Sequence, residues 1–236
     1  KVLVNVAWLN SATVFTKIIS GFLTTKFIAI FIGAEGLALI GNLRSFFTAI
    51  QTFATLGLYN GMVKYIGAYK NDTLKLSKTI STTYYFGFSA TILVCLLCYY
   101  NSEPINNLLF SSQYNYAYVI KIMALAIPFY SLNMFCFSIM NGFSKYRILL
   151  IINIIGQLMG LSVTLLLIYQ NNIDGALISV VISPSLIFLI TLVGILNRRS
   201  LMGQIKVSNI DFKWLKKLGP FAVMAIVSGI ELPLVT

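Results

Sequence analysis

Apolar runs as long as a bilayer is thick recur along this chain, near residues 5–32, 37–66, 79–100, 117–140, 147–169 and 175–197, and another opens near 218. A helix needs roughly 20 mostly apolar residues to cross the hydrocarbon core. Hydrophobic residues make up 58% of the 236 and charged residues 10%, with a mean hydropathy of +0.87. A soluble domain carries about 25% charged residues, so this chain cannot cover a water-facing surface. The predicted fold class is all-α: a polytopic helical membrane protein of six complete transmembrane helices plus the start of a seventh. The first run is not a cleavable signal peptide, because Lys17 stands at its centre and the apolar pattern continues to Gly33. The chain opens on Lys1 and ends at Thr236 inside an apolar segment, so a piece of a longer protein is expected.

The net charge of +11 would suit a nucleic-acid partner if it were clustered on a soluble face. It is instead distributed by loop. Lys1 precedes the first span, Lys64, Lys70, Lys75 and Lys78 surround the second loop, and Lys145 and Arg147 sit in the fourth. Arg198, Arg199, Lys206, Lys213, Lys216 and Lys217 fill the sixth, whereas the odd loops hold Glu35, Glu103 and Asp174, with Lys121 at the edge of the fourth span. By the positive-inside rule the N-terminus and the even loops are cytoplasmic. No nucleic acid is needed to explain the charge. Residues 198–217 alternate apolar and basic side chains and read as a cytoplasmic amphipathic linker on an anionic leaflet.

Cys95 and Cys98 have the spacing of a redox or metal pair, but they lie in an apolar run with no charged neighbour to lower a thiol pKa, and packing explains them better. The chain has no His, which removes His-based triads and most zinc sites. No catalytic residue, metal ligand or cofactor is predicted.

Charges at membrane depth cost about 2.5–3.5 kcal/mol each on insertion scales and mark pathways or sites. Lys17, Lys26 and Arg44 fall inside the first two runs, and Lys64 stands at the end of the second. Asn10, Thr13, Ser20 and Thr24 step by threes and fours around Lys17, and Arg44, Thr48, Gln51, Thr55 and Tyr59 form a second stripe in the same way. Two such helices side by side would make a wet, positively charged groove. Ser and Thr in these stripes can equally serve to bond neighbouring helices. Lys17 and Arg44 have no carboxylate in the six complete runs to neutralise them, so an anionic substrate is the expected partner. Lys26 lies near enough to a helix end to snorkel, which is an equally good account of it. Asn153 and Gln157 are one turn apart in the fifth run beside Gly156 and Gly160; Asn133 lies in the fourth, and Ser183-Pro184-Ser185 interrupts the sixth. Glu231, followed by Pro233, could couple transport to an ion or be structural.

Gly33-Ala34-Glu35-Gly36-Leu37 with Asn42-Leu43-Arg44, and Gly57-Leu58-Tyr59-Asn60-Gly61 with Lys64-Tyr65, resemble the Wzx family of polysaccharide flippases. That family sits in the multidrug/oligosaccharidyl-lipid/polysaccharide exporter superfamily. Asp174-Gly175-Ala176-Leu177 and Leu232-Pro233 add weaker matches, and the chain looks most like the branch with the O-antigen and enterobacterial common antigen (lipid III) flippases. The resemblance implies twelve helices in two six-helix lobes around a central cavity. Residues 1–197 would then be the N-terminal lobe, 198–217 the linker, and 218–236 the start of the C-terminal lobe. It also implies a bacterial inner-membrane transporter that carries undecaprenyl-diphosphate-linked glycan between leaflets. Membrane lipids, a polysaccharide polymerase and a chain-length regulator would be its partners. Lys17, Arg44 and Lys64 match positions that are basic in relatives and would hold the diphosphate, with Lys26 as a further candidate.

Physical chemistry reaches a similar picture. A sugar cannot cross hydrocarbon without losing its hydrogen bonds, whereas a prenyl tail can stay in lipid. Asn10, Thr13, Thr48, Gln51, Tyr59, Asn60, Asn153 and Gln157 are the candidates to line the sugar path. A cation-coupled drug exporter of the same superfamily would want intramembrane carboxylates, and a membrane glycosyltransferase or polymerase would want acids or His beside a large outer loop. A purely structural subunit leaves Lys17 and Arg44 unexplained.

Overall fold

The computed structural model describes residues 2–110, 114–196, 219–220, 222–225 and 227. These form helices and no strand: α1 (Val2–Phe31), α2 (Gly33–Thr55), α3 (Tyr59–Tyr69), α4 (Thr73–Tyr100), α5 (Ser102–Phe110), α6 (Ala117–Gly142) and α7 (Tyr146–Leu196). The short stretches at 219–220 and 222–225 are also helical. Among the described residues four helices are long and apolar enough to cross a membrane: Ala7–Phe31, Thr73–Tyr100, Ala117–Gly142 and Tyr146–Ile195.

The expected single run over 37–66 is two helices. α2 ends where Leu56 and Gly57 both take left-handed φ, +49° and +56°, with their amides donating to Phe53 O and Thr52 O. No proline causes this break; a C-cap closes α2 and α3 starts afresh. A Cβ on Gly57 would lie 2.1 Å from Ala225 Cβ, so the helical stretch at 222–225 sits directly on the break. Polar residues along α2 and the break together explain why this run falls outside the four.

The expected runs at 147–169 and 175–197 are one helical segment interrupted at Asn172, whose φ of 49° and ψ of −120° are non-helical. The chain doubles back there. Gly156 faces Ile187, Gly160 and Thr164 face Ser183, and Gly194 faces Ile152, so two arms run antiparallel. The turn is tight enough that a Cβ on Gly175 would lie 1.8 Å from the carbonyl oxygen of Leu167. Only glycine allows that approach of backbone to backbone.

α4 starts earlier than the expected 79, at Thr73, because Asp72 caps it: its carboxylate accepts from the Lys75 amide at 3.1 Å. α6 is the hub. Ile120, Met123 and Ile127 pack with Ile28 of α1, Leu43 and Phe47 of α2, and Ile168 and Leu177 of α7. Farther along α6, Phe135 and Ile139 meet Met62 and Ile66 of α3 and Leu76 and Ile80 of α4. In lipid such contacts act through van der Waals packing and interhelical hydrogen bonds, because the tails are as apolar as the side chains. Those bonds run from Thr91 Oγ1 to Ala54 O at 2.8 Å, from Ser185 Oγ to Ala126 O at 2.9 Å, and from Thr191 Oγ1 to Asn133 Oδ1 at 2.6 Å.

Candidate functional site

Residues three and four apart share a helix face, so Lys17, Ser20 and Thr24 project together from α1, and Arg44, Thr48 and Gln51 from α2. In the structure both faces border one cavity of about 520 Å³. The arms of α7 form its other wall, with Gln157 and Thr164 from the first arm and Ser179, Ser183 and Pro184 from the second. Pro184 has no N–H to give the carbonyl of Val180 four residues back, and both residues line the cavity.

The electrostatics are one-sided. Lys75 is paired with Asp72 at 2.9 Å, and among the described residues no carboxylate partners Lys17 or Arg44. Four acids are described. Asp72 is in that pair, Glu103 is exposed at the start of α5, Glu35 accepts from the Tyr114 hydroxyl, and Asp174 accepts from the Tyr118 hydroxyl at 2.5 Å. The bond to Glu35, then burial, then the carboxylate charge hold the Tyr114 phenol above its usual range. The Ser20 hydroxyl is buried in the cavity wall with no hydrogen-bond partner among the described residues. Buried polar groups are almost always paired, and the exceptions point to water or ligand.

A second chamber of about 280 Å³ shares Thr48 and Gln51 with the first and reaches the α2–α3 break, where Tyr59, Asn60 and Tyr130 line it. The Tyr59 hydroxyl accepts from Asn141 Nδ2 at 2.8 Å.

Of the residues singled out in the sequence, Lys17, Arg44, Thr48, Gln51 and Gln157 border the first cavity, and Tyr59 and Asn60 the second. Lys26, Lys64, Asn10, Thr13 and Asn153 border neither. Lys26 and Asn10 are exposed, Thr13 Oγ1 donates back to Leu9 O at 2.8 Å, and Lys64 Nζ lies 5.8 Å from the centre of the Tyr65 ring. Asn133, buried against Thr191, is structural glue. Glu231 and the linker at 198–217 lie outside the described residues. Sequence reading missed Ser179 and Tyr130 altogether, whereas Ser183 and Pro184, noted there as an interruption of the sixth run, line the first cavity. Only the reversal at Asn172 brings the second arm of α7 to the cavity, so spacing alone could not have found Ser179.

Residues 2–229 match the polysaccharide biosynthesis protein family. The lipid III flippase of Escherichia coli K12 is 24% identical over 228 residues, which is 95% of this chain and 54% of that protein, and the Shigella flexneri lipid III flippase matches equally. The chain thus spans about half the length of the curated relatives it matches. Among solved structures, the Vibrio cholerae MATE transporter VcmN in its bent form superposes with a TM-score of 0.65 at 16% identity, over 98% of this chain and 55% of that one. That likeness shows a shared fold. The apolar helices and these relatives make this a multi-pass membrane protein. With the match running through α1–α7, the chain belongs to the polysaccharide biosynthesis protein family.

Proposed function

We propose that this chain is the N-terminal lobe of a flippase that carries undecaprenyl-diphosphate-linked oligosaccharide, such as an O-antigen repeat unit, from the cytoplasmic to the periplasmic leaflet of the bacterial inner membrane. The observation that supports it best is the pairing of Lys17 and Arg44, without carboxylate partners among the described residues, on one polar cavity inside the bundle. A diphosphate supplies the missing countercharge through charge-assisted hydrogen bonds, and Arg offers a forked donor set that suits it. Gln51, Gln157, Thr164 and Ser183 offer hydrogen bonds to sugar hydroxyls, while the prenyl tail stays in lipid. No covalent step is required, so the protein acts as a transporter.

In this reading α2 and α3 form one broken span and the arms of α7 form two, giving six with α1, α4 and α6. The N-terminus and the even loops face the cytoplasm, and the stretch at 219–227 opens a second lobe. Rocking of the lobes exposes the cavity to each side in turn, as in other transporters built from repeats. On this division, the close approach of Ala225 to Gly57 at the α2–α3 break supports a contact between the two lobes.

The test uses the full-length protein in a strain lacking its own flippase, with surface polysaccharide as the readout and protein level in the membrane as control. Wild type restores the polymer, and stable Lys17→Ala and Arg44→Ala variants do not. Mutants that work as well as wild type would remove the diphosphate role from these bases. Drug efflux by wild type without restored polymer, across several donor polysaccharides, would replace the flippase reading with that of a drug exporter.

A further inference from the structure

Resting on the flippase reading, we infer that the chamber at the α2–α3 break is a separate subsite for the sugar residue attached to the diphosphate. Tyr130 is its stacking platform, and it selects which first sugar is carried.

The two cavities differ in chemistry. Lys17 and Arg44 border only the first; among the described residues no charged side chain lines the second. The chamber is instead walled by Tyr59, Tyr130, Asn60, Thr48, Thr52 and Gln51, which are uncharged donors and acceptors interleaved with aromatic rings. That is the inventory a pyranose needs, because its C–H face packs on a ring while its hydroxyls find amide and hydroxyl partners. The space, about 280 Å³, is on the order of nine waters at the volume each takes in the liquid. That is room for one sugar residue.

Unmet hydrogen-bonding capacity supports the same assignment. Leu58 gives α3 no side-chain cap, and the amides of Tyr59 and Asn60 have no acceptor among the described residues. First-turn amides left this way turn to water or ligand. The Tyr130 hydroxyl likewise has no hydrogen-bond partner among the described residues, although its ring is held in a tilted contact with Phe47 at 6.4 Å. The Tyr59 hydroxyl accepts from Asn141 and keeps its own proton to donate.

The two spaces adjoin at Thr48 and Gln51, which border both, so the sugar-bearing end of a diphosphate held at Arg44 can pass Gln51 and reach Tyr130. Sugars farther along the glycan leave the chamber and contribute less to recognition.

The experiment measures binding to the full-length protein in nanodiscs. The probes are undecaprenyl diphosphate alone and a panel of undecaprenyl diphosphates each bearing one hexose or N-acetylhexosamine. Wild type binds at least one member of the panel roughly tenfold more tightly than the bare lipid. Tyr130→Ala erases that gain while leaving bare-lipid affinity within about twofold, and Asn60→Ala, at an exposed position where folding is not at stake, reduces it. Tyr130→Phe keeps most of it. Arg44→Ala weakens every probe alike. Equal binding of bare and sugar-bearing lipids by wild type, or an equal loss for both in Tyr130→Ala, overturns the subsite and leaves the flippase reading intact. Failure of wild type to bind any of the lipids overturns both.

Discussion

Thr191 Oγ1 donates to Asn133 Oδ1 across 2.6 Å, joining the second arm of α7 to α6 at a point where both side chains are buried. In lipid an unpaired amide oxygen has no water to turn to, so the bond ties the arm to the hub. Interhelical hydrogen bonds of this kind average about 0.6 kcal/mol and reach about 1.7. Thr191→Val is nearly isosteric and should destabilise the protein within that range, read as a lowered unfolding midpoint in mild detergent. Leaving the midpoint unchanged would mean that Asn133 finds another partner.

The reversal of α7 depends on Gly175. Adding one methyl group there places carbon 1.8 Å from the Leu167 carbonyl, and backbone on that side has nowhere to move. Gly175→Ala should therefore cost more than the about 1–3 kcal/mol of ordinary overpacking and deplete the protein from the membrane. Gly41→Ala is the matched control: nothing lies within 4 Å of its Cβ position on α2. It should keep membrane levels at or above wild type, since Ala favours a helix over Gly by about 1 kcal/mol.

Ser20 should show stability and binding pulling in opposite directions. Its buried hydroxyl lacks a partner among the described residues, and such a group costs about 1–3 kcal/mol of desolvation. Ser20→Ala should leave thermal stability unchanged or raised, yet weaken lipid-diphosphate binding by several-fold to about tenfold. A stability loss with unchanged binding would show that the hydroxyl serves the fold.

The bond between Tyr114 and Glu35 has a pH signature. Its hydrogen bond to the carboxylate holds the phenol above the ordinary value of 10.0. A group whose folded pKa is raised contributes stability that is complete below the unfolded value and fades as pH climbs through the folded one. The Tyr114 contribution is thus constant at neutral pH and is lost only on the alkaline side of 10.0. Spectrophotometric titration, with Tyr114→Phe subtracted, should place the Tyr114 midpoint above that of an ordinary tyrosine. Glu35→Gln should bring it back down.

How legible was this site in the sequence? Lys17, Arg44, Thr48 and Gln51 could be grouped because each pair or triplet repeats at helical steps on one helix, which is local information. The turn of α7 was foreshadowed by Gln170-Asn171-Asn172 with Asp174-Gly175, residues that tolerate or require unusual backbone. The break after Thr55 was not foreseen: no proline marks it, and Leu56 takes a left-handed φ that its side chain disfavours. Tyr130 was invisible for a different reason. α6 is apolar on nearly every face, so no periodic signal distinguishes the side that meets the chamber from the sides that meet other helices. Its role emerges only from how α2, α3 and α6 pack together.

The most direct test of the central claim is translocation of undecaprenyl-diphosphate-linked oligosaccharide in proteoliposomes. The assay compares the full-length protein with its Arg44→Ala, Lys17→Ala and Lys121→Ala variants; Lys121 borders neither cavity. Charge-assisted hydrogen bonds contribute about 1.5–3 kcal/mol each, so losing one should slow transfer roughly tenfold or more. Slow Arg44→Ala and Lys17→Ala variants beside a wild-type rate for Lys121→Ala are the predicted result. Equal rates for all four proteins would contradict the basic cavity as the path of the head group.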